Sequence, residues 1–169
     1  MSKKVREPKQ VFQPDTSLPV DVVKVICFEH LKGRGRSIRC PLCGKLMKNY
    51  KRSINRKMVV ALVLLYKRNA LEKGRWVPVQ DIYAPGQGGD YAKLRYWGLV
   101  EAGDKRTAHK NSIGYWRITD LGKLFCEEKI KVFKYAVVYA NECIGMAGDQ
   151  VDIVQCNGEN FSYPALMSR

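Results

Sequence analysis

Cys40 and Cys43, in the run Arg39-Cys40-Pro41-Leu42-Cys43-Gly44-Lys45, are the residues best suited to chemistry in this chain. Two thiolates separated by two residues can grip one metal ion from a tight turn. Pro41 pre-sets its own φ, and Gly44 lets backbone N–H groups turn toward the sulfurs. A closed structural site takes four ligands. The nearest upstream donors are Cys27 and His30, which give Cys-x2-His-x9-Cys-x2-Cys. On a helix these two stand at i and i+3, on one face. The plainer alternative is a buried helical thiol and a histidine that binds nothing. Cys126, Cys143, Cys156 and His109 are the reserve donors, each in an apolar or loop context that requires no metal. The expected ion is Zn2+, which has no redox chemistry and, with four protein ligands, no open position for catalysis. A redox Cys-x-x-Cys is disfavoured because no βαβ pattern surrounds the pair.

The charge around this cluster is one-sided. Of 169 residues, 30 are Lys or Arg and 16 are Asp or Glu, a formal charge of +14. From His30 to Leu71 there is no acidic residue at all, whereas Glu142, Asp149, Asp152 and Glu159 face only Arg169 after Tyr135. A like-charged block repels itself and stays disordered unless something folds it. A bound ion would do so here. A basic excess of this size favours nucleic acid or an anionic surface as partner. Apolar residues make up 46% of the chain, enough for a core. The longest apolar run, Met58 to Tyr66, is too short for a membrane span. The start, Met-Ser-Lys-Lys-Val-Arg-Glu-Pro, lacks the apolar stretch of a signal peptide, so a reducing cytoplasm is expected, with thiols rather than disulfides.

These residues need elements to hold them. Residues 1–15 read as a loose tail. Thr16 to Leu31 reads as a helix capped by Ser17 or Thr16, with Pro19 in its first turn and Val22, Val23, Ile26 and Leu31 as an imperfect apolar face; a strand over Val22–Ile26 is the alternative. Ser53 or Asn55 caps a helix carrying Ile54, Met58, Leu62, Leu65 and Tyr66 and ending near Asn69-Ala70. A short strand at Trp76-Val77 and a short helix from Pro78 follow. Pro85-Gly86-Gln87-Gly88-Gly89 breaks the chain before a third helix, Tyr91 to Trp97, with Gly98 at its C′ position. Leu99-Val100-Glu101 and Ile113 to Thr119 read as strands joined by a basic loop. Asp120 is expected to cap a further helix with Leu121, Leu124, Phe125 and Ile130. Beyond it, two strands turn at Asn141, Val151–Cys156 reads as strand or helix, and an apolar tail runs from Phe161.

Helix, short strand, helix, helix, hairpin, helix is the order of a winged helix-turn-helix. Lys93-Leu94-Arg95-Tyr96-Trp97-Gly98-Leu99-Val100-Glu101 and Tyr115-Trp116-Arg117-Ile118-Thr119-Asp120-Leu121-Gly122-Lys123-Leu124-Phe125 are similar to the recognition helix, wing strands and closing helix of MarR-like winged-helix regulators. With the cysteine knuckle, which resembles those of zinc ribbons and rubredoxin-type sites, the arrangement also resembles uncharacterised phage-type zinc-finger/winged-helix proteins. The resemblance spans about residues 20–130 and implies double-stranded DNA as partner. The chain departs from the pattern in the long glycine-rich turn and in Trp97, bulkier than the charged residue usual before that glycine.

If Leu94 faces the core, Lys93, Arg95 and Tyr96 turn to the groove. Arg95 suits a bidentate pair with guanine and Lys93 a phosphate. In the wing loop Lys105, Arg106 and Lys110 suit the minor groove or backbone. Arg34 and Arg36, in Lys32-Gly33-Arg34-Gly35-Arg36, resemble an AT-hook, with Ser37 where such hooks carry proline. Arg117 is expected to be exposed on the return strand.

The expected protein is thus α+β: a tail (1–15), a zinc-binding helix-knuckle segment (16–52), a winged helix-turn-helix (53–131) and a C-terminal β-hairpin extension (132–169). It is expected to be a non-catalytic, zinc-stabilised DNA-binding regulator, phage-like in its resemblance, without a membrane or small-molecule substrate. The extension, acidic and aromatic, is a candidate to cover the core, to form a homodimer contact or to bind another protein, and nothing in its residues chooses among these. The rival is an adaptor of replication, repair or transcription machinery that uses the same modules as contact surfaces. No Walker-type glycine loop, Gly-x-Ser-x-Gly elbow or His-Glu-x-x-His motif points to an enzyme.

Overall fold

The structure, a computed structural model, describes Phe12 and residues 15–33, 37–71, 74, 76–82, 88–103, 114–157 and 162–168. It is mixed α+β and divides into two compact units, residues 1–50 and 51–169.

In the first unit, the Asp15 side chain accepts from the backbone N–H (2.9 Å) and hydroxyl (2.7 Å) of Ser17, shaping the entry to helix α1 (Val20–Gly33). The segment is a helix and not a strand. Its buried stripe is Val23, Cys27 and Leu31, at i, i+4 and i+8, while Val22 is exposed and Ile26 half-buried. The helix is followed by a hairpin of β1 (Ser37–Arg39) and β2 (Leu46–Lys48), in which the paired residues Ile38 and Met47 turn inward. Asn49 Nδ2 donates to the Leu31 carbonyl (2.7 Å) and holds the end of α1.

The second unit is organised around α2 (Arg56–Leu71). Asn55 is its cap: Oδ1 accepts from Met58 N–H (3.2 Å) and the carbonyl from Val59 N–H (3.1 Å). Met58, Val59, Leu62, Val63 and Leu65 are buried almost completely, an arc too wide for one contact surface. Around α2 lie β4 (Val77–Pro78), α3 (Val79–Ile82), a 3-10 helix (Gly88–Trp97), β5 (Val100–Ala102), β6 (Tyr115–Ile118) and α4 (Asp120–Cys126). The strands form an antiparallel sheet in the order β4-β6-β5, with Val77 opposite Trp116 and Val100 opposite Ile118.

Thr119, not Asp120, caps α4. Its Oγ1 accepts from Gly122 N–H (3.0 Å) and donates to the Gly98 carbonyl (2.6 Å), so one hydroxyl joins α4 to the end of the 3-10 helix. Asp120 stands one residue later and pairs with Lys123 at 2.8 Å. The helix comes so close to the hairpin that a Cβ on Gly122 would collide with the Leu99 carbonyl and lie 2.7 Å from Ile118 Cγ1.

The C-terminal hairpin is longer than expected: β7 (Val132–Tyr139) and β8 (Glu142–Val151), turning through Ala140 and Asn141, both at positive φ. It joins β3 (Tyr50–Ser53) in a sheet of order β3-β7-β8, and the Ile54 N–H donates to the Lys134 carbonyl (3.0 Å). Two short helices, α5 (Ile153–Asn157) and α6 (Tyr163–Ser168), complete the unit; the ambiguous segment at 151–156 is mostly helix. The described part of the C-terminal segment covers the core, one of the roles its sequence leaves open. Val132, Ala136, Val138, Ile153, Cys156 and Tyr163 share one core with α2, and the Tyr163 hydroxyl donates to the Cys126 carbonyl. Among the described residues no helix is long and apolar enough to cross a membrane.

Gly122→Ala places a methyl group against backbone that cannot yield without separating α4 from the hairpin. It is expected to destabilise the protein by at least about 2 kcal/mol, read as a lowered urea midpoint. An unchanged midpoint would show that the close approach is not needed.

Candidate nucleic-acid interface and knuckle

The third helix of the second unit is wound with three residues per turn, with a kink at Gly89. That pitch puts Tyr91, Leu94 and Trp97 on one side. Leu94 is 1% exposed, Trp97 is buried, and the Tyr91 ring meets Trp116 edge to face at 5.3 Å. Trp97 Nε1 also donates to the Phe133 carbonyl (2.7 Å), which ties the helix to the C-terminal sheet and gives the bulky aromatic a structural role. The tight pitch also separates the expected groove-facing trio. Arg95 lies on a different row from Lys93 and Tyr96, which align with Asp90.

Arg95 is exposed, its guanidinium 5.3 Å from the centre of the Tyr96 ring. Lys93 is half-buried and hydrogen-bonds Asp90 through an ion pair. That bond is the main cause holding the Asp90 carboxyl below the usual range, with Lys57 and Asn55 acting in the same direction. Asp90 therefore links the start of the 3-10 helix to the start of α2. Sequence reasoning missed this link, because nothing in the spacing places Asn55 and Lys57 beside Asp90.

Arg117 is half-buried, not exposed as expected. It stands directly opposite Glu101 in the β5–β6 ladder, with Nε 2.6 Å from the carboxylate, and its guanidinium lies 4.6 Å from the centre of the Trp76 ring. Arg34, Arg36, Lys105, Arg106, Lys110 and the reserve donor His109 lie outside the described residues, as does most of the turn at 85–89.

In the first unit, the hairpin holds Cys40 and Cys43 in its tip. Cys40 N–H donates to the Lys45 carbonyl and Gly44 N–H to the Cys40 carbonyl, each at 2.8 Å, with Gly44 at φ +70°. The backbone N–H groups of Cys43 and Leu42 point at the Cys40 sulfur, the main causes lowering its pKa. Cys27 is nearly inaccessible on α1; burial chiefly, and the nearby Cys40, push its thiol up. His30 stacks on Phe12, ring centres 4.0 Å apart. Thus Cys27 is electrostatically coupled to the hairpin tip, while His30 is engaged with an aromatic ring. Among the described residues no three His, Cys, Asp or Glu side chains stand together so as to hold a metal ion.

No family model, curated protein or solved structure matches the chain.

The reserve cysteines divide by burial. Burial pushes the Cys126 thiol up to about 12 and the Cys156 thiol up to about 11, whereas Cys143 is exposed. At pH 8 iodoacetamide is expected to modify Cys143 and to spare Cys126 and Cys156 until urea unfolds the chain, as peptide mass spectrometry would show. The folded state holds these two thiol protons more tightly than the unfolded chain, whose ordinary value is 9.0. Their contribution to stability is therefore level below that pH and falls as the pH rises through it. Modification of Cys126 in the folded protein as fast as Cys143 would contradict this burial.

Proposed function

We propose that the chain is a non-catalytic, sequence-preferring double-stranded-DNA-binding protein, a transcriptional regulator, whose second unit is a winged helix-turn-helix. The observation that carries this reading is the packing of the 3-10 helix. Leu94 and Trp97 fix one side of it in the core, and Arg95 is left on the outside. The reading is supported by the element order α2, β4, α3, 3-10 helix, β5, β6, α4 with the sheet β4-β6-β5, the order expected for a winged helix. In this reading Arg95 meets a guanine edge, Tyr96 and Lys93 flank it, and the basic wing loop lies on backbone or minor groove. Lys93 has Asp90 as a competing partner, so its share of phosphate binding is smaller than its charge suggests.

The first unit is read as a zinc module. The fit rests on the hairpin tip, where backbone N–H groups already face the Cys40 sulfur as a thiolate ligand requires, with Cys43 beside it. Cys27 and His30, at i and i+3 on α1, are the proposed third and fourth donors; the four do not stand together in the structure, so the reading requires both side chains to turn toward the hairpin tip, His30 leaving Phe12. Zinc would supply cross-linking of α1 to the hairpin and neutralisation of thiolate charge, not catalysis. The unit's own core supports the need: among its described residues only Val23, Cys27, Leu31, Ile38 and Met47 are buried apolar side chains. Segments this small commonly require a metal, a disulfide or a partner.

Filter binding of random-sequence and selected duplexes across a salt series tests the DNA reading. If roughly six to ten phosphates are neutralised, affinity should fall by about 10³–10⁵ between about 50 and 200 mM salt. Arg95→Ala is expected to cost about 1–3 kcal/mol on the selected duplex and to relax preference at one base pair. A salt slope near zero would favour the adaptor reading.

Elemental analysis is expected to find about one zinc per chain. Cys40→Ser or Cys43→Ser should remove it and unfold the first unit, while the second keeps its cooperative thermal transition. A metal-free, fully folded chain would overturn the zinc module.

A further inference from the structure

In the sheet β3-β7-β8 the middle strand is β7. Its Val132, Ala136 and Val138 belong to the core, so strand alternation sends Phe133 and Tyr135 to the opposite face. Phe133 is 40% exposed and Tyr135 half-buried. Their partners across the ladder on β8 are Gln150 and Ala147, neither of them charged. The Tyr135 ring rests on Gly148, at φ +81°, where a Cβ would come within 2.7 Å of Tyr135 Cδ2. A residue without a side chain thus seats the ring against the neighbouring strand. The backbone of Phe133 is held from the core side by the Trp97 indole. Both rings therefore stand on a fixed base.

A single exposed phenylalanine is ordinary. Here the charge beside the rings gives the face a direction. On one side of β7 lies β3, which contains no acid and carries Lys51 and Arg52, both exposed. They precede Ile54, whose N–H donates at 3.0 Å to the carbonyl of Lys134, the residue between the two aromatics. On the other side lies β8, where Glu142 and Asp149 are exposed. The sheet passes from cations through aromatic rings to acids. A polyanion with aromatic groups fits this order, its charged backbone along β3 and its rings over β7. A purely apolar partner would use Phe133 and leave the cations without a role.

Spacing decides what kind of polyanion. Residues two apart on a strand are about 6.8 Å apart, twice the rise of about 3.4 Å per nucleotide in a duplex. Bases seated on both rings are therefore unstacked from each other, as bases of single strands bound to aromatic platforms are. A duplex keeps its bases paired and stacked and offers no face to these rings. From the two rings on the middle strand, the glycine seat and the one-sided charge, we propose that this face of the sheet binds a single strand of nucleic acid. Two successive bases stack on Phe133 and Tyr135, and the phosphates follow Lys51 and Arg52. The site lies within the second unit, does not use Arg95 and does not rest on the duplex reading.

The test is an NMR titration of the full chain with an oligothymidylate of about ten nucleotides. The control is an abasic strand of the same length, which keeps the phosphates and lacks the bases. The oligothymidylate is expected to shift the signals of Phe133, Tyr135, Ala147 and Gln150, and the abasic strand to bind at least about fivefold more weakly. Phe133→Leu should weaken oligothymidylate binding by a similar factor, whereas Phe133→Trp, which keeps a stacking face, should retain it. Trp97 bonds the backbone at this position, so neither change removes that tie. Arg95→Ala should leave this affinity within about twofold while weakening the selected duplex. A chain that binds no duplex but passes this test loses the duplex reading and keeps this one. Equal affinity for the two strands would mean attraction by charge alone and would overturn the proposal. So would shifts confined to other residues, indifference to Phe133→Leu, or sedimentation showing that a second copy covers this face. The comparison of the two strands uses the unaltered protein, so a poorly folded variant leaves the test intact.

Discussion

Burial of α2 on nearly every side is the constraint from which the second unit follows. Met58, Val59, Leu62, Val63 and Leu65 each lose almost all contact with water. Fully burying a side chain of this kind is worth about 1.5–3 kcal/mol, and one neighbour cannot cover so wide an arc. The helix is therefore surrounded by elements far apart in sequence: α3, the 3-10 helix, β6 and α4, and then α5 and α6 from the C-terminal segment. The direction of Arg95 is a consequence of this packing. Surface ion pairs contribute about 0–1 kcal/mol, too little to orient a helix against the pull of Leu94 and Trp97.

Charge is arranged within the frame that the core sets. In a chain with nearly two cations per anion, several of the second unit's acids stand against a specific cation: Asp90 with Lys93, Glu101 with Arg117, Asp120 with Lys123, Glu127 with Lys129. These pairs are partly exposed, so their worth lies less in stability than in position. Glu101 and the Trp76 ring keep Arg117 along the hairpin, and Asp90 keeps Lys93 near the start of its helix.

Much of this order is legible in the sequence because the signals are local. The Asn55 cap, the glycine at position 98 and the three-four spacing of α2 each depend on a few neighbouring residues. What escapes is set by distant contacts. Thr119 and Asp120 are both residue types that cap helices, and the bond from Thr119 to the distant Gly98 carbonyl adds a tie that favours Thr119. The 100° period assumed for residues 91–97 fails because the segment is wound at 120°, which brings Tyr91, Leu94 and Trp97 into one row and moves Arg95 out of line with Lys93. The role of the C-terminal segment stays open in the sequence because its strands are complete in themselves; the fold decides it, their apolar faces closing the core of a helix some eighty residues earlier.

The two units solve opposite problems. The second has enough apolar surface to fold around α2 and carries its acids beside its cations. The first buries few apolar side chains, and the stretch from His30 to its end contains no acid to offset the lysines and arginines. Its hairpin nevertheless closes over a tip where amide N–H groups converge on the Cys40 sulfur, a dipole arrangement that favours a thiolate. An uncompensated thiolate would gain little there from packing. Joined to a cation that also reaches α1 through Cys27, the same tip would supply the cross-link that so small a core lacks. The polarity of the hairpin tip and the poverty of the core are thus two sides of one argument, and both lead to a metal as part of the fold rather than of any reaction.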